Sequence, residues 1–385
     1  MRRKFSSAII FEYISVLLIA LIIFFPIFYS QIYLVPTEAT DFATHIEWAR
    51  VLLEAPQKAP PQSLMSHSAW HWAVVYTHKI LTTSWRSSAL IVTLASALLT
   101  VGILFRLLRK KLNHIQAGGV VISLTIVAPL AFLFLLDHRM YLGYIGINTF
   151  HNPTTLFLKP FAILQLYFSA EALQGKKSGW KAILLAVLAS SGSALAKPNY
   201  LICLLPALGI LALLQIWKKK SLDWKMLLVG IVLPSTAFLI WQFFFAYGGG
   251  ADIIFSPFGV MSRYSSYLPI KFFLSIAFPL VVTTVYWKDS IKDIRILLGW
   301  TGFGMGAIFT YFFAESGGRF GHGNFLWSGQ IALFILFVCC VLFLSEKRLP
   351  EKNSLSRWLI LSSGALHLIF GILYYFNVLF TLQYS

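Results

Sequence analysis

Charge is scarce in this sequence: only 12% of its 385 residues are Asp, Glu, Lys or Arg, where a soluble globular chain carries about a quarter. Acidic residues are scarcest, 14 against 31 basic ones. Cysteine is almost missing. Cys203, Cys339 and Cys340 all lie in apolar runs without metal-ligand spacing, so neither a disulfide framework nor a zinc cluster is expected. Low-complexity linkers, internal repeats and a hydrophilic stretch long enough for a separate soluble domain are also lacking. What is present is apolar: 58% of the residues are hydrophobic and the mean hydropathy is +0.75. That composition excludes a water-soluble fold.

A helical crossing of a bilayer needs roughly 20 mostly apolar residues. Such runs recur at 9–34, 88–107, 116–136, 154–174, 181–196, 199–217, 226–246, 270–287, 296–314, 328–345 and 358–380. The expectation is an all-α polytopic integral membrane protein of about eleven transmembrane helices, with 1–385 forming one transmembrane domain. The fifth and sixth runs are short, as in a broken or re-entrant pair. The first follows "MRRKFSS" but is too long for a signal peptide and has no A-x-A site, so it is read as a true span.

The net charge of +17 invites a nucleic-acid reading, but its placement argues against one. Of the 31 basic residues, 21 fall in "MRRK", "RLLRKK", "GKKSGWK", "KKKSLDWK", "KDSIKDIR" and "EKRLPEKNSLSR", at every second connection. Positive-inside logic then places the N-terminus and these loops in the cytoplasm and the C-terminus outside. No nucleic-acid partner is needed.

The remaining titratable groups gather on the opposite face. Seven of the nine histidines are there, His45, His67, His71, His78, His138, His151 and His322, with Asp41, Asp137, Glu315, Lys197 and Arg319. The largest segment on that side, 35–87, opens with "DFATHIEWARVLLE", a helix by its periodicity. Phe42, Ile46, Ala49 and Leu53 form an apolar stripe, and Glu47, Arg50 and Glu54 a solvated one. A helix lying along a membrane needs only those two. Asp41, Thr44, His45 and Trp48 make a third face. Asp41, in the first turn, suits a base or cation ligand, or is an ordinary acid stabilised by the helix dipole.

Further along, "SHSAWHWAVVYTHKIL" aligns His67, His71 and His78 on one helix face. No fourth ligand is in view, so an interfacial helix lining a wet cleft is preferred over a metal site. Asn152-Pro153 has the form of an N-cap and first helical residue, an arrangement that binds anions when exposed. Lys159, two turns on, faces a polar cavity or snorkels outward. "ESGGRFGHGNFLW" combines four glycines with Arg319, His322, Glu315 and Asn324, and Lys197 in "SALAKPNY" joins this cationic set. Asp252, Arg263 and Tyr264 lie in the loop 247–271, whose "GGG" start suggests a gating segment. His367, mid-run in the last helix, reads as an interhelical hydrogen-bonder.

A carboxylate on a membrane-lying helix beside cationic groups suits chemistry at a phosphate leaving group, with the acid taking a proton from an attacking hydroxyl. On "TDFATHIEWA" after the first span, "SHSAWHW", "LAKPN", the late "GGRFGHGNFLW" and the eleven-span layout, the sequence resembles the GT-C class of integral-membrane glycosyltransferases. The resemblance implies a polyprenyl-phosphate-linked sugar donor, a glycan or lipid acceptor, inversion at the anomeric carbon and a site outside the cytoplasm; the small size and short loops point to a bacterial inner membrane. It makes Asp41 the general base, with Arg319 and Lys197 on the lipid phosphate. His322 and Lys159 complete the cationic set, and His45, His71, His138, His151, Asn152, Glu315 and Asn324 line the cleft. The tandem acidic pair of that class is missing, which leaves a divalent metal as a cofactor that the site admits but does not favour. The lack of a C-terminal soluble domain points to a small or lipid-linked acceptor. The alternatives are a lipid-linked polysaccharide polymerase or ligase, and a lipid-linked glycan flippase.

Overall fold

The computed structural model describes residues 7–35, 40–58, 67–247, 252–347, 349–351 and 354–381. The cluster Arg2–Lys4, the second half of the proline-rich stretch 55–62 and the glycines 248–250 lie outside them. Bilayer hydrocarbon offers no hydrogen-bond partners, so apolar segments of this length must satisfy their backbone internally, and here they do so as helices.

The first half contains α1 (Ser7–Tyr29, continued by a π-turn, Ser30–Leu34), α2 (Asp41–Glu54), α3 (Ala69–Leu81), α4 (Trp85–Leu108), α5 (His114–Ile126) and α6 (Pro153–Leu173). Then come α7 (Trp180–Ala196), α8 (Asn199–Trp217) and α9 (Leu233–Tyr247, after a π-turn at Met226–Val232). The chain continues through α10 (Leu268–Ser275), α11 (Ala277–Val285), α12 (Ile294–Phe312), α13 (Leu326–Glu346) and α14 (Leu355–Thr381). A short antiparallel pair, β1 (Ile253–Phe255) with β2 (Phe313–Glu315), ties the segment after α9 to the end of α12. The periodicity of 296–314 gives no hint of this strand.

Among the described residues seven helices are long and apolar enough to cross a membrane, or eight if the pair α10–α11, bent by 58°, is one span. The protein is an all-α polytopic membrane protein. Helix α7 has only 17 residues. Helix α12 has 19, diluted by Gly299, Gly302, Gly304 and Gly306. Two of these glycines serve packing: a Cβ on Gly306 would lie 2.7 Å from the Ser328 carbonyl oxygen, and one on Gly299 would lie 3.0 Å from Cys339 Sγ. Small residues here let the α12 and α13 backbones approach closely.

The run 116–136 departs most from expectation, because its helix stops at Ile126. Pro129 disfavours the helical conformation in the residue before it, and the chain turns extended. Its released backbone is buried inside the bundle. His367 of α14 bridges two such breaks, its Nδ1 2.6 Å from the Ala128 carbonyl oxygen and its Nε2 accepting the Phe278 N–H at 3.3 Å. His367 is therefore a neutral interhelical connector. Leu130 N–H reaches the Leu274 carbonyl at the α10–α11 bend, so the two broken segments satisfy each other.

The bundle has two chemically distinct ends. One is knit by ion pairs of the basic connections: Arg109 to Glu12 at 2.8 Å, Arg295 to Glu346 at 2.8 Å and Lys347 to Asp289 at 3.1 Å. The other carries α2, α3, the strand pair and the irregular segment 127–152.

Candidate functional site

Helix α2 begins at the residue its sequence pattern names. Thr40 Oγ1 accepts the Phe42 N–H at 3.3 Å, which caps the helix and leaves Asp41 in the first turn. Phe42 and Ala49 are buried and Ile46 and Leu53 half-buried. Glu47, Arg50 and Glu54 form the expected solvated stripe, with Arg50 Nε 2.6 Å from Glu54 Oε2. The third face is divided between two partners. Asp41 points at the start of α6, while His45, one turn later, turns into the seam with α3.

In that seam His45 Nδ1 lies 2.8 Å from His71 Nε2, among the rings of Trp48 and Trp70. His71 is fully buried and His45 nearly so. This corrects the wet-cleft reading of His45 and His71, because α3 packs its His71 face directly onto α2. His78 stacks on Trp85 at 4.0 Å and bonds the Thr83 carbonyl, tying the α3–α4 turn. His138 ends a one-turn helix in the left-handed conformation, exposed and away from the cleft. Among the described residues no three His, Cys, Asp or Glu stand close enough to hold a metal ion.

Burial, followed by the charge of His67, pulls His71 down to about 3. Burial also drives His45 well below its usual range, with His71 next in effect. An unfolded histidine titrates near 6.5. The unfolded state therefore takes up protons first, and the stability held above about pH 6.5 is lost as pH falls towards 3. The melting temperature of the purified protein should drop between pH 7 and pH 5. A His45→Phe/His71→Phe double variant should flatten that slope; an unchanged slope would place the acid sensitivity elsewhere.

Asp41 opens onto a cleft of about 160 Å³ whose walls include Tyr141, Tyr144, His151, Tyr264, Trp327 and Gln330. The walls are rigid by construction. Tyr141 Oη donates to Gln330 Oε1 at 2.6 Å, and its ring stacks on Tyr374 at 5.6 Å. His151 lies between the Tyr141 edge (5.3 Å) and Trp327 (5.9 Å). Burial lowers His151 to about 4 against the opposing pull of the Asp41 charge, so at neutral pH it can give and take hydrogen bonds as a neutral ring. Gly143 has φ +84°, and a Cβ there would lie 2.6 Å from Ser265 Cβ, which makes glycine the residue that fits this wall.

At the start of α6, Asn152 caps the helix as expected: its Oδ1 accepts the Thr155 N–H at 2.9 Å. Its Nδ2 donates to Asp41 Oδ2 at 2.7 Å. Lys197, on the turn between α7 and α8, donates to Asn152 Oδ1 at 3.1 Å and lies 4.0 Å over the Trp327 ring. Burial brings the Lys197 ammonium down to about 7, with the Asp41 charge resisting. Asp41, Asn152 and Lys197 form one hydrogen-bonded chain drawn from distant parts of the sequence, and His151 lies near enough to feel the charges of Asp41 and Lys197.

The late loop is organised around Glu315. This buried carboxylate at the end of β2 pairs with Arg319 Nη2 at 3.0 Å and accepts Asn324 Nδ2 at 2.6 Å. Glu315, Arg319 and Asn324 thus shape the loop, while His322, Gly323, Leu326 and Trp327 of it reach the cleft. Lys159 is not brought to the cleft. It donates to Asn148 Oδ1 at 2.6 Å under the Phe334 ring, and Asn148 Nδ2 bonds the Leu124 and Val127 carbonyls released where α5 ends.

Sequence reasoning missed Lys271. Fully buried, it pairs with Asp137 at 2.5 Å and donates to the Leu142 carbonyl at 3.1 Å, fastening one cleft wall to α10. A lysine inside "LPIKFFLS" was the available signal, since an ionised group in an apolar run needs a partner. Tyr141, Tyr144 and Gln330 offered none, because aromatic and amide residues are common in such spans.

No protein-family model, curated protein or solved structure matches this chain.

Proposed function

We propose that the protein is an inverting membrane glycosyltransferase, moving a sugar from a polyprenyl-phosphate carrier to a hydroxyl of a glycan or lipid acceptor. The observation that carries this reading is the Asp41 carboxylate at the cleft, with one oxygen engaged by Asn152 and the other without a partner among the described residues. Asp41 takes the proton of the acceptor hydroxyl as its oxygen bonds to the anomeric carbon. The bond from that carbon to the lipid phosphate breaks, and the carrier leaves as polyprenyl phosphate. Aromatic walls with His151 and Gln330 between them suit a sugar ring, which offers apolar C–H faces and hydroxyl edges.

The cation for the leaving phosphate is better sought at the rim than at Arg319, whose charge Glu315 neutralises. Arg263 lies 4.5 Å over the Phe320 ring, beside the cleft-lining Tyr264, and no carboxylate pairs with it among the described residues. His322 lies on the same rim. The eleven apolar segments are taken as crossings, with the basic end and the N-terminus cytoplasmic and the cleft and C-terminus outside, in a bacterial plasma membrane. Lys159, Lys271 and His367 inside the bundle are all tied to fixed partners, which favours an enzyme over a flippase.

Purified protein in lipid nanodiscs, given polyprenyl-phosphate-linked sugars and candidate acceptors, should release polyprenyl phosphate. Arg263→Ala should raise KM about 10–100-fold, the loss of one charge-assisted contact, while Arg319→Ala acts mainly on loop stability. If no polyprenyl-linked sugar is turned over, the reading falls.

A further inference from the structure

Lys197 does not open onto the cleft. Its ammonium points at three neutral oxygens, Asn152 Oδ1 (3.1 Å), Thr154 Oγ1 (3.3 Å) and Thr155 Oγ1 (3.1 Å), and Trp327 covers it. It is 7% exposed, and no carboxylate pairs with it directly among the described residues. A buried cation without a contacting anion is unfavourable unless a countercharge is near, and the cluster supplies one through a single amide.

That amide has two unlike ends. Asn152 Oδ1 receives three donors: the Thr155 N–H at 2.9 Å, the Thr154 hydroxyl at 3.0 Å and the Lys197 ammonium. Flipping it would set its NH₂ against all three. The NH₂ is therefore forced outward, onto Asp41 Oδ2. We propose that Lys197 is a positioning residue for Asp41: acting through Asn152, it locks the amide that aims the carboxylate into the cleft, and its charge balances the carboxylate from one amide away. The other groups facing Asp41 do not supply that charge. His151, from the segment before α6, is kept neutral by burial, and His45 on α2 is turned to His71. His322 lies at the exposed rim.

The inference rests on Asp41 being the base, but its test needs no turnover. Full-length protein in nanodiscs is treated at pH 6 with a water-soluble carbodiimide and an amine, which label protonated carboxyl groups, and labelling at Asp41 is read by mass spectrometry. Lys197→Met and Asn152→Ala should each raise the Asp41 labelling rate several-fold, because a carboxylate no longer held by the Asn152 amide is freer to meet the reagent. Lys197→Arg should stay near wild type, and Glu47 labelling should be equal in all four proteins, reporting an intact α2. Unchanged Asp41 labelling in Lys197→Met overturns the proposal, whatever Asn152→Ala does. A rise in Lys197→Met alone overturns the role of the amide. Failure here with Asp41→Asn still blocking turnover would remove the clamp and leave the proposed function standing.

Discussion

In the proposed transfer, replacing Asp41 by Asn is expected to lower polyprenyl phosphate release by about 10²–10⁴-fold, the usual contribution of a positioned general base. The substitution keeps the shape of the side chain, and its amide oxygen still accepts from Asn152 Nδ2, so the N-terminal turn of α2 should remain in place. The loss should therefore appear in kcat with little change in melting temperature. Glu47→Gln is the matched control. It sits on the same helix, exposed and weakly paired to Arg50 at 4.0 Å, and should turn over at the wild-type rate. Full activity in Asp41→Asn would reduce Asp41 to an acid that merely complements the helix dipole.

The second large effect concerns stability. Lys271→Met should destabilise the protein by about 1–3 kcal/mol, because it strands the half-buried Asp137 carboxylate and the Leu142 carbonyl. Burial pushes the Asp137 carboxyl up, but the Lys271 hydrogen bond and charge outweigh it and hold Asp137 below its usual range. Without Lys271 only the Ser265 and Arg139 hydrogen bonds are left to oppose burial. Asp137 also accepts from Ser265 Oγ at 3.1 Å, and Lys271 also holds the Leu142 carbonyl, so the loss loosens the wall of the cleft. A Lys271→Met/Asp137→Asn double variant should recover much of the difference. Thermal unfolding of the four proteins closes the cycle, and a single-variant loss within about 0.5 kcal/mol, the size of an ordinary surface substitution, would deny the pair its structural role.

How much of this was legible beforehand differs from element to element. The stripe Glu47–Arg50–Glu54 was readable because an exposed helical face needs only its own periodicity. The Asn152 cap was readable for the same reason: the cap and the first turn it satisfies are contiguous in sequence. For His45 the sequence shows the helix but not its partner. Periodicity fixes the angle between Asp41 and His45, not which neighbouring element each angle meets. Lys159 and Lys197 looked alike as basic residues near span ends, yet one holds a broken helix together and the other bears on Asp41. The run 116–136 looked like any other apolar segment, and a single proline together with a receiving histidine on α14 divided it.

The sequence alone determined the solvent, the helical class and the separation of charges to two ends, because each follows from local composition and from hydrocarbon refusing unpaired polar groups. It also placed Asp41 at a helix start. Only the tertiary structure decided that Asp41, Asn152 and Lys197 form one chain of hydrogen bonds, that Arg319 is neutralised by Glu315, and that Lys271 braces the cleft. The physical reason is range. A cap or an amphipathic stripe is settled within a few residues, whereas a buried charge is settled by whichever partner the packing brings within about 3 Å.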